Sequence, residues 1–139
     1  MKPTAIILPV AVQAFLTFAV LVQMARSRSQ SMRESSQKLS DDDVRLGRNA
    51  WSDQATKTAN NYKSQFELPV LFYAVTTLLL VTSGVDYLMV VLAWVFALSR
   101  IAHAILHIGP NVIAWRFGAF FVGVVALVAM WVKLTLHIL

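Results

Sequence analysis

The chain has 139 residues, of which 58% are hydrophobic and only 14% are charged, and it has no cysteine. This composition excludes intrinsic disorder, a disulfide-linked scaffold and any cysteine-based metal site or nucleophile. It also argues against an ordinary soluble domain, in which about a quarter of the residues are charged. The length is that of one domain.

The net charge of +5 is concentrated in one part of the chain. Residues 26–63 hold eight of the twelve basic residues, while most of the remaining chain is apolar. We therefore interpret the basic excess as a property of one loop of a membrane protein, and we expect no nucleic-acid partner.

The first apolar segment covers residues 4–25, whose length of roughly 33 Å as a helix is enough to cross the hydrocarbon core. Signal peptides carry their positive charge before a shorter apolar run, whereas Arg26 and Arg28 follow this one. The pattern favours a retained first helix. A polar connector of residues 26–65 follows, in which Ser40 and three aspartates predict a helix that starts near Asp41 and continues into the second span.

Three further apolar segments, at residues 66–83, 87–108 and 112–136, are separated by turn signals at 83–86 and 109–111. The sequence therefore predicts an all-α integral membrane protein, folded as an up-and-down bundle of four transmembrane helices. Because the connector carries most of the basic residues, we expect it to be cytoplasmic, with both termini outside an inner or cell membrane.

Ionisable residues collect at one depth of this predicted bundle. Arg100, His103 and His107 are spaced i, i+3 and i+7, which places them within about 60° on one face of the third span. Glu67 and Arg116 enter the second and fourth spans from the same side. Since each intramembrane charge costs at least about 2.5–3.5 kcal/mol, the cluster indicates a functional site.

Several interpretations of this cluster are open. Arg100 and Glu67 can form a structural ion pair, whereas His103 and His107 lack the third and fourth ligands that zinc requires, so we expect no metal. A cluster of several cations with one carboxylate suits an anionic or zwitterionic ligand, because arginine matches carboxylates and phosphates. Such a site also favours a thiolate, and that thiol must come from a cofactor because the chain has none.

Two stretches of the sequence resemble the MAPEG family, the membrane-associated proteins of eicosanoid and glutathione metabolism. Residues 100–107, read as R-I-A-H-A-I-L-H and followed by Arg116, are similar to the family pattern R-x-A-H-x-x-x-Y followed by an arginine. Residues 66–72, read as F-E-L-P-V-L-F, are similar to the segment that opens the second helix of the family. The chain departs from the pattern at His107, where the family has a tyrosine, and in the partly kept motif before Pro69.

The resemblance implies a glutathione transferase or peroxidase, a homotrimer that binds glutathione between subunits and takes an apolar electrophile or lipid hydroperoxide from the bilayer. Arg116 then corresponds to the arginine that stabilises the thiolate, and Glu67 to a partner of the glutathione amino group. The other residues expected at the glutathione site are Arg100, His103, His107, Lys63, Asn60, Asn61 and Gln65. The family motif on helix two also contains an arginine that this chain lacks, and Lys57 or Lys63 can take its place.

Two other functions remain open from the sequence alone. The family also contains a lipid-binding member without catalytic activity, so the fold does not by itself establish an enzyme. The chain can accordingly be a lipid-binding or scaffold protein on the same fold. It can also be a small transporter or a subunit of a larger membrane complex.

Overall fold

A computed structural model describes residues 2–34, 41–46, 51–109 and 112–139. After a short 3-10 turn at Pro3–Ile6, the described helices are α1 (Ile7–Glu34), α2 (Asp41–Leu46), α3 (Asp53–Ser64), α4 (Leu68–Val81), α5 (Tyr87–Ile108) and α6 (Ile113–Ile138). Within these ranges, four segments are long and apolar enough to cross a membrane: Pro3–Glu34, Asp53–Val81, Tyr87–Ile108 and Ile113–Ile138. The predicted all-α four-helix membrane bundle is confirmed.

The described part of the predicted connector is more helical than its polar sequence indicates. Helix α1 continues past the predicted span end at residue 25 and finishes at Glu34. Helix α3 packs along α1 and α5 and buries Ala55, Thr58 and Asn61. Part of the connector therefore belongs to the bundle itself.

The expected continuous helix from Asp41 into the second span is wrong. Helix α2 begins at Asp41, but the chain is non-helical at Trp51 and Ser52, and residues 47–50 lie outside the described residues. A new helix starts because the Ser52 hydroxyl accepts a hydrogen bond from the Ala55 amide at 3.3 Å. Asp53 in the first turn adds a favourable charge near the positive end of the helix dipole.

A turn at residues 65–67 divides the second membrane segment into α3 and α4. Pro69 explains the break, because it has no amide hydrogen and its ring would clash with the carbonyl of Gln65 in a continuous helix. The amides of Gln65 and Phe66 instead bond to carbonyls three residues earlier, each at 3.0 Å. Proline is well tolerated at the start of α4, where an amide partner is not needed.

The turn between α4 and α5 lies at the other end of α4 from Pro69. The Gly84 amide bonds to the Leu79 carbonyl at 2.9 Å, and Ser83 adopts a left-handed conformation with φ of 56°, as in a Schellman-type helix end. Asp86 then starts α5 by accepting a hydrogen bond from the Met89 amide at 2.9 Å. Asp86 also forms an ion pair with Lys133 of α6, which joins the turn to the last helix.

The apolar core lies between α4, α5 and α6. Phe72 and Phe96 stack with ring centroids 4.4 Å apart, and both side chains are fully buried. Helices α5 and α6 approach each other closely at Gly123, where an added Cβ atom would lie 2.5 Å from the Ser99 hydroxyl oxygen. This packing holds the second half of α5, which carries the ionisable residues, against the start of α6.

Candidate ligand-binding site

Arg100 is the central feature of the site. Its side chain is completely buried, with 0% exposure. Nη2 donates to the Ser64 carbonyl at 3.0 Å and to the Ser64 hydroxyl at 3.1 Å, whereas Nε and Nη1 have no hydrogen-bond partner. Because leaving buried charged donors unpaired is unfavourable, the arginine is prepared to bind an acceptor that the protein does not supply.

His103 connects α5 to the first turns of α6. Its Nδ1 lies 3.2 Å from the backbone carbonyl oxygen of Arg116, and that oxygen can only accept a hydrogen bond. In this contact Nδ1 therefore carries the proton, and in the neutral ring Nε2 remains as the acceptor. The His103 ring lies 5.8 Å from the rings of both His107 and Phe120, centroid to centroid, and these contacts help to orient it.

Several positively charged residues lie near His107. The charges of Arg116, Arg100 and Lys57 are all within electrostatic reach of its ring. Lys57 is half-buried on α3, and the Nδ1 atom of His107 is buried without a partner. This end of the site therefore favours an anionic group that can also interact with an imidazole nitrogen.

A set of buried amides lies on the side of α1 and α3. Gln13 of α1 donates from Nε2 to Oε1 of Gln65 at 3.0 Å, and both side chains are at most 1% exposed. The amide nitrogen and oxygen of the fully buried Asn61 have no hydrogen-bond partner, and neither does Oε1 of Gln13. Unpaired amide donors and acceptors are suited to a peptide-like ligand or to bound water.

The structure brings only some of the sequence-predicted residues into this interior. Arg100, His103 and His107 lie there on α5, and Asn61 and Gln65 join them from α3 and the turn that follows it. Arg116 is half-buried at the start of α6. Three predicted residues are instead exposed on the surface of the chain: Asn60, Lys63 and Glu67.

The alternative of a structural ion pair between Arg100 and Glu67 is wrong. Among the described residues, Arg100 forms its hydrogen bonds with Ser64 and no ion pair with Glu67. The cause is the turn before Pro69, which leaves the Glu67 side chain exposed. Its charge remains within electrostatic reach of the guanidinium.

Sequence reasoning missed two contributors, Gln13 and Ser64. Gln13 is a polar residue inside an otherwise apolar span, and such a residue usually faces the bundle interior. That signal was present in the sequence without indicating a partner. Ser64 had no such signal, because its role depends on lying at the end of α3 opposite Arg100.

The described part of the chain contains no group of three or more histidine, aspartate or glutamate side chains placed to hold a metal ion. The donors that converge on the interior are instead cationic or neutral. They are suited to an anionic organic ligand.

Comparison with protein-family models matches the MAPEG family over residues 6–136. This chain belongs to the MAPEG family. Comparisons with curated proteins and with solved structures gave no significant match. Membership and the four membrane segments make it a multi-pass integral membrane protein of the MAPEG family of glutathione and eicosanoid metabolism.

Proposed function

We propose that this MAPEG protein binds glutathione and catalyses the attack of its thiol on an apolar electrophile or lipid hydroperoxide. The observation that carries the proposal is the buried guanidinium of Arg100, whose Nε and Nη1 atoms have no partner in the protein. Glutathione has two carboxylates, and arginine pairs well with carboxylates. MAPEG membership supports this choice of ligand over other anions.

The remaining residues also suit glutathione. The unpaired amide of Asn61 offers a donor and an acceptor that match a peptide group, and Lys57 offers a second cation. Bound glutathione would supply a thiol, whose thiolate form is the nucleophile. Arg116 and His107 would stabilise negative charge near the thiol electrostatically, with His107 in the role of the missing tyrosine.

The exposed residues Asn60, Lys63 and Glu67 can contribute only from the surface of the protomer. We therefore propose the homotrimer that the family resemblance implies, with each site completed at a subunit interface. Glu67 would then hold the glutathione amino group from the edge of the site. The basic connector would face the cytoplasm, because the positive residues are concentrated there.

The test is equilibrium binding of glutathione to the detergent-purified protein, followed by ultraviolet absorbance of the thiolate near neutral pH. We expect saturable binding and a thiolate signal that Arg116→Ala reduces while the oligomeric state is kept. Arg45→Ala is the matched control, because it removes an arginine from the exposed surface of α2. An absence of binding up to millimolar glutathione would overturn the proposal.

A second candidate is a lipid-binding or scaffold protein without catalytic activity, alone or within a larger membrane complex. The observation in its favour is an apolar groove of about 280 Å³ between α1 and the α3–α4 region, lined by Phe18, Tyr62, Phe66 and Tyr73 among others. Apolar molecules bound without any thiol dependence, or constant co-purification with another subunit, would favour this candidate.

A further inference from the structure

The first turns of α6 are weakly held by their own residues. Val112, the residue that precedes the helix, provides no side-chain cap, so the first amides of α6 lack that partner. A Cβ atom added at Gly118 would meet open space, and a glycine inside a helix lowers the stability of that helix. No residue of α6 before Gly123 is buried in the chain. The position of Arg116, which lies in this segment, therefore depends on contacts with α5.

His103 of α5 provides two such contacts. Its Nδ1 atom donates to the Arg116 carbonyl at 3.2 Å, and its ring lies 5.8 Å from the Phe120 ring, centroid to centroid. In a regular helix the Phe120 amide bonds to that same carbonyl, so His103 contacts both residues that this helical bond joins. Only 7% of the surface of His103 is exposed, so packing restricts its orientation.

The two ring nitrogens of His103 can serve different purposes. Nδ1 is bonded to the backbone of Arg116, whereas Nε2 of the neutral ring is an acceptor. A direct contact with glutathione would use Nε2, and a contact that holds Arg116 uses Nδ1. The charge of Arg116 is within electrostatic reach of the rings of both His103 and His107. The guanidinium is thus near His107, which the proposed function places beside the thiol.

We propose that His103 is a positioning residue for Arg116, and that the hydrogen bond from Nδ1 fixes the first turns of α6 so that the Arg116 guanidinium lies beside the glutathione thiol. This inference rests on the proposed function. The family resemblance places His103 among the glutathione ligands, whereas here it acts through Arg116. Such positioning is important because a displacement of about 1 Å can cost roughly a hundredfold in rate.

Three substitutions separate the two ring nitrogens. His103→Asn places an amide nitrogen near the position of Nδ1, whereas His103→Gln places one near the position of Nε2. His103→Phe keeps a ring against Phe120 but has no nitrogen. The detergent-purified full chain of each variant is titrated with glutathione. Affinity is measured in mild acid, where the thiol is protonated, and thiolate absorbance is measured near neutral pH.

We expect His103→Phe and His103→Gln to keep the affinity of the wild type in mild acid, because Arg100 is unchanged, and to show roughly tenfold less thiolate near neutral pH. His103→Asn should restore the thiolate, because its amide can donate to the Arg116 carbonyl. If His103→Gln instead keeps the thiolate and His103→Asn loses it, Nε2 contacts glutathione directly and the proposal is overturned. Equal behaviour of the three variants would also overturn it.

A double variant shows whether His103 acts through Arg116. In the Arg116→Ala background, His103→Phe should cause no further loss of thiolate, because both substitutions remove the same effect. A further loss would mean that His103 stabilises the thiolate by itself, contrary to the proposal.

A last measurement needs no ligand. Hydrogen exchange of the backbone amides of residues 113–121 in the full chain should be faster in His103→Phe than in the wild type, and unchanged in His103→Asn. If the wild type binds no glutathione, the proposed function fails, while the exchange experiment still decides whether His103 holds the start of α6. Unchanged exchange in His103→Phe would overturn this inference even if glutathione binds.

Discussion

Arg100 of α5 donates from a single nitrogen, Nη2, to both the carbonyl and the hydroxyl of Ser64, at 3.0 and 3.1 Å. Ser64 is the last residue of α3, so its carbonyl has no partner within that helix. A cation is favourable there because the helix dipole is negative at its C-terminal end. Arg100 therefore caps the C-terminal end of α3, and its other two nitrogens remain without a partner and can bind a ligand.

We expect Arg100→Met and Arg100→Lys to separate the binding role of this side chain from its structural one. Arg100→Met removes a buried charge with two unpaired nitrogens but leaves the Ser64 carbonyl without its donor, and because these effects oppose each other, the free energy of unfolding should change by less than about 2 kcal/mol. Both variants should lose glutathione affinity by tenfold or more, because neither has the planar set of donors. Thermal unfolding and equilibrium binding measure the two effects. A large loss of stability in Arg100→Met together with unchanged glutathione affinity would show that the role of Arg100 is structural and would contradict the prediction.

The Gln13–Gln65 hydrogen bond predicts a specific coupling between α1 and the α3–α4 turn. Replacing either glutamine by leucine should cost about 1–3 kcal/mol of unfolding free energy, because the other amide stays buried without its partner. The double variant should cost less than the sum of the two single variants. A double-mutant cycle from unfolding in detergent measures the coupling. Strict additivity would mean that the bond contributes nothing.

The spans could be predicted because their apolar runs are long and interrupted only by turn residues. The collection of Arg100, His103 and His107 on one face followed from helical spacing alone. Helix α3 could not be predicted as a part of the bundle, because it buries Ala55, Thr58 and Asn61, which are small or polar. Hydropathy gives no signal for such packing.

The direction of Glu67 was equally hidden from the sequence. The exposure of its side chain depends on the geometry of the turn before Pro69. A residue pattern does not indicate whether a proline bends a helix or divides it into two. The partner of Arg100 was hidden for the same reason. Ser64 meets Arg100 only because α3 ends at that level of the bundle.

The close approach of α5 and α6 predicts the outcome of Gly123→Ala. The new Cβ atom would lie 2.5 Å from Ser99 Oγ but 3.7 Å from Ser99 Cβ, so the clash is with the hydroxyl alone. We expect a loss of about 1–3 kcal/mol from overpacking. Adding Ser99→Ala should restore the stability, because it removes only that oxygen, which bonds to the Phe96 carbonyl of its own helix. Thermal unfolding of the single and double variants checks this, and a double variant as unstable as Gly123→Ala would contradict it.

The ion pair of Asp86 and Lys133 predicts a weak dependence of stability on pH. The hydrogen bond from Lys133, with a smaller effect of the Met89 amide, lowers the pKa of the Asp86 carboxyl below its ordinary value near 3.9. A lowered folded-state pKa means that the contribution is complete above about pH 4 and is lost as pH falls through the folded pKa. Because both side chains are partly exposed, solvent screening keeps the effect small.

Asp86→Asn isolates the charge from the helix cap, because an asparagine oxygen can still accept from the Met89 amide. We expect this variant to lose the acid dependence that Asp86 contributes while remaining folded at neutral pH. Asp86→Ala should lose an additional ~1 kcal/mol, because the cap is removed as well. Melting temperatures in detergent between pH 3 and 7 measure both effects. An acid transition in Asp86→Asn identical to that of the wild type would assign the dependence to other carboxylates.

The division of the second membrane segment also has a consequence for the surrounding bilayer. Helix α4 has 14 residues and is therefore about 21 Å long, which is shorter than a hydrocarbon core of ~30 Å. The remaining depth is spanned by the polar last turns of α3, which belongs to the same membrane segment, or is removed by local thinning of the bilayer. In either case, water and lipid headgroups approach Ser64 and Arg100 more closely than the length of the neighbouring helices suggests. We therefore expect a polar solute to reach the interior of the bundle at this level without first crossing a full leaflet of hydrocarbon.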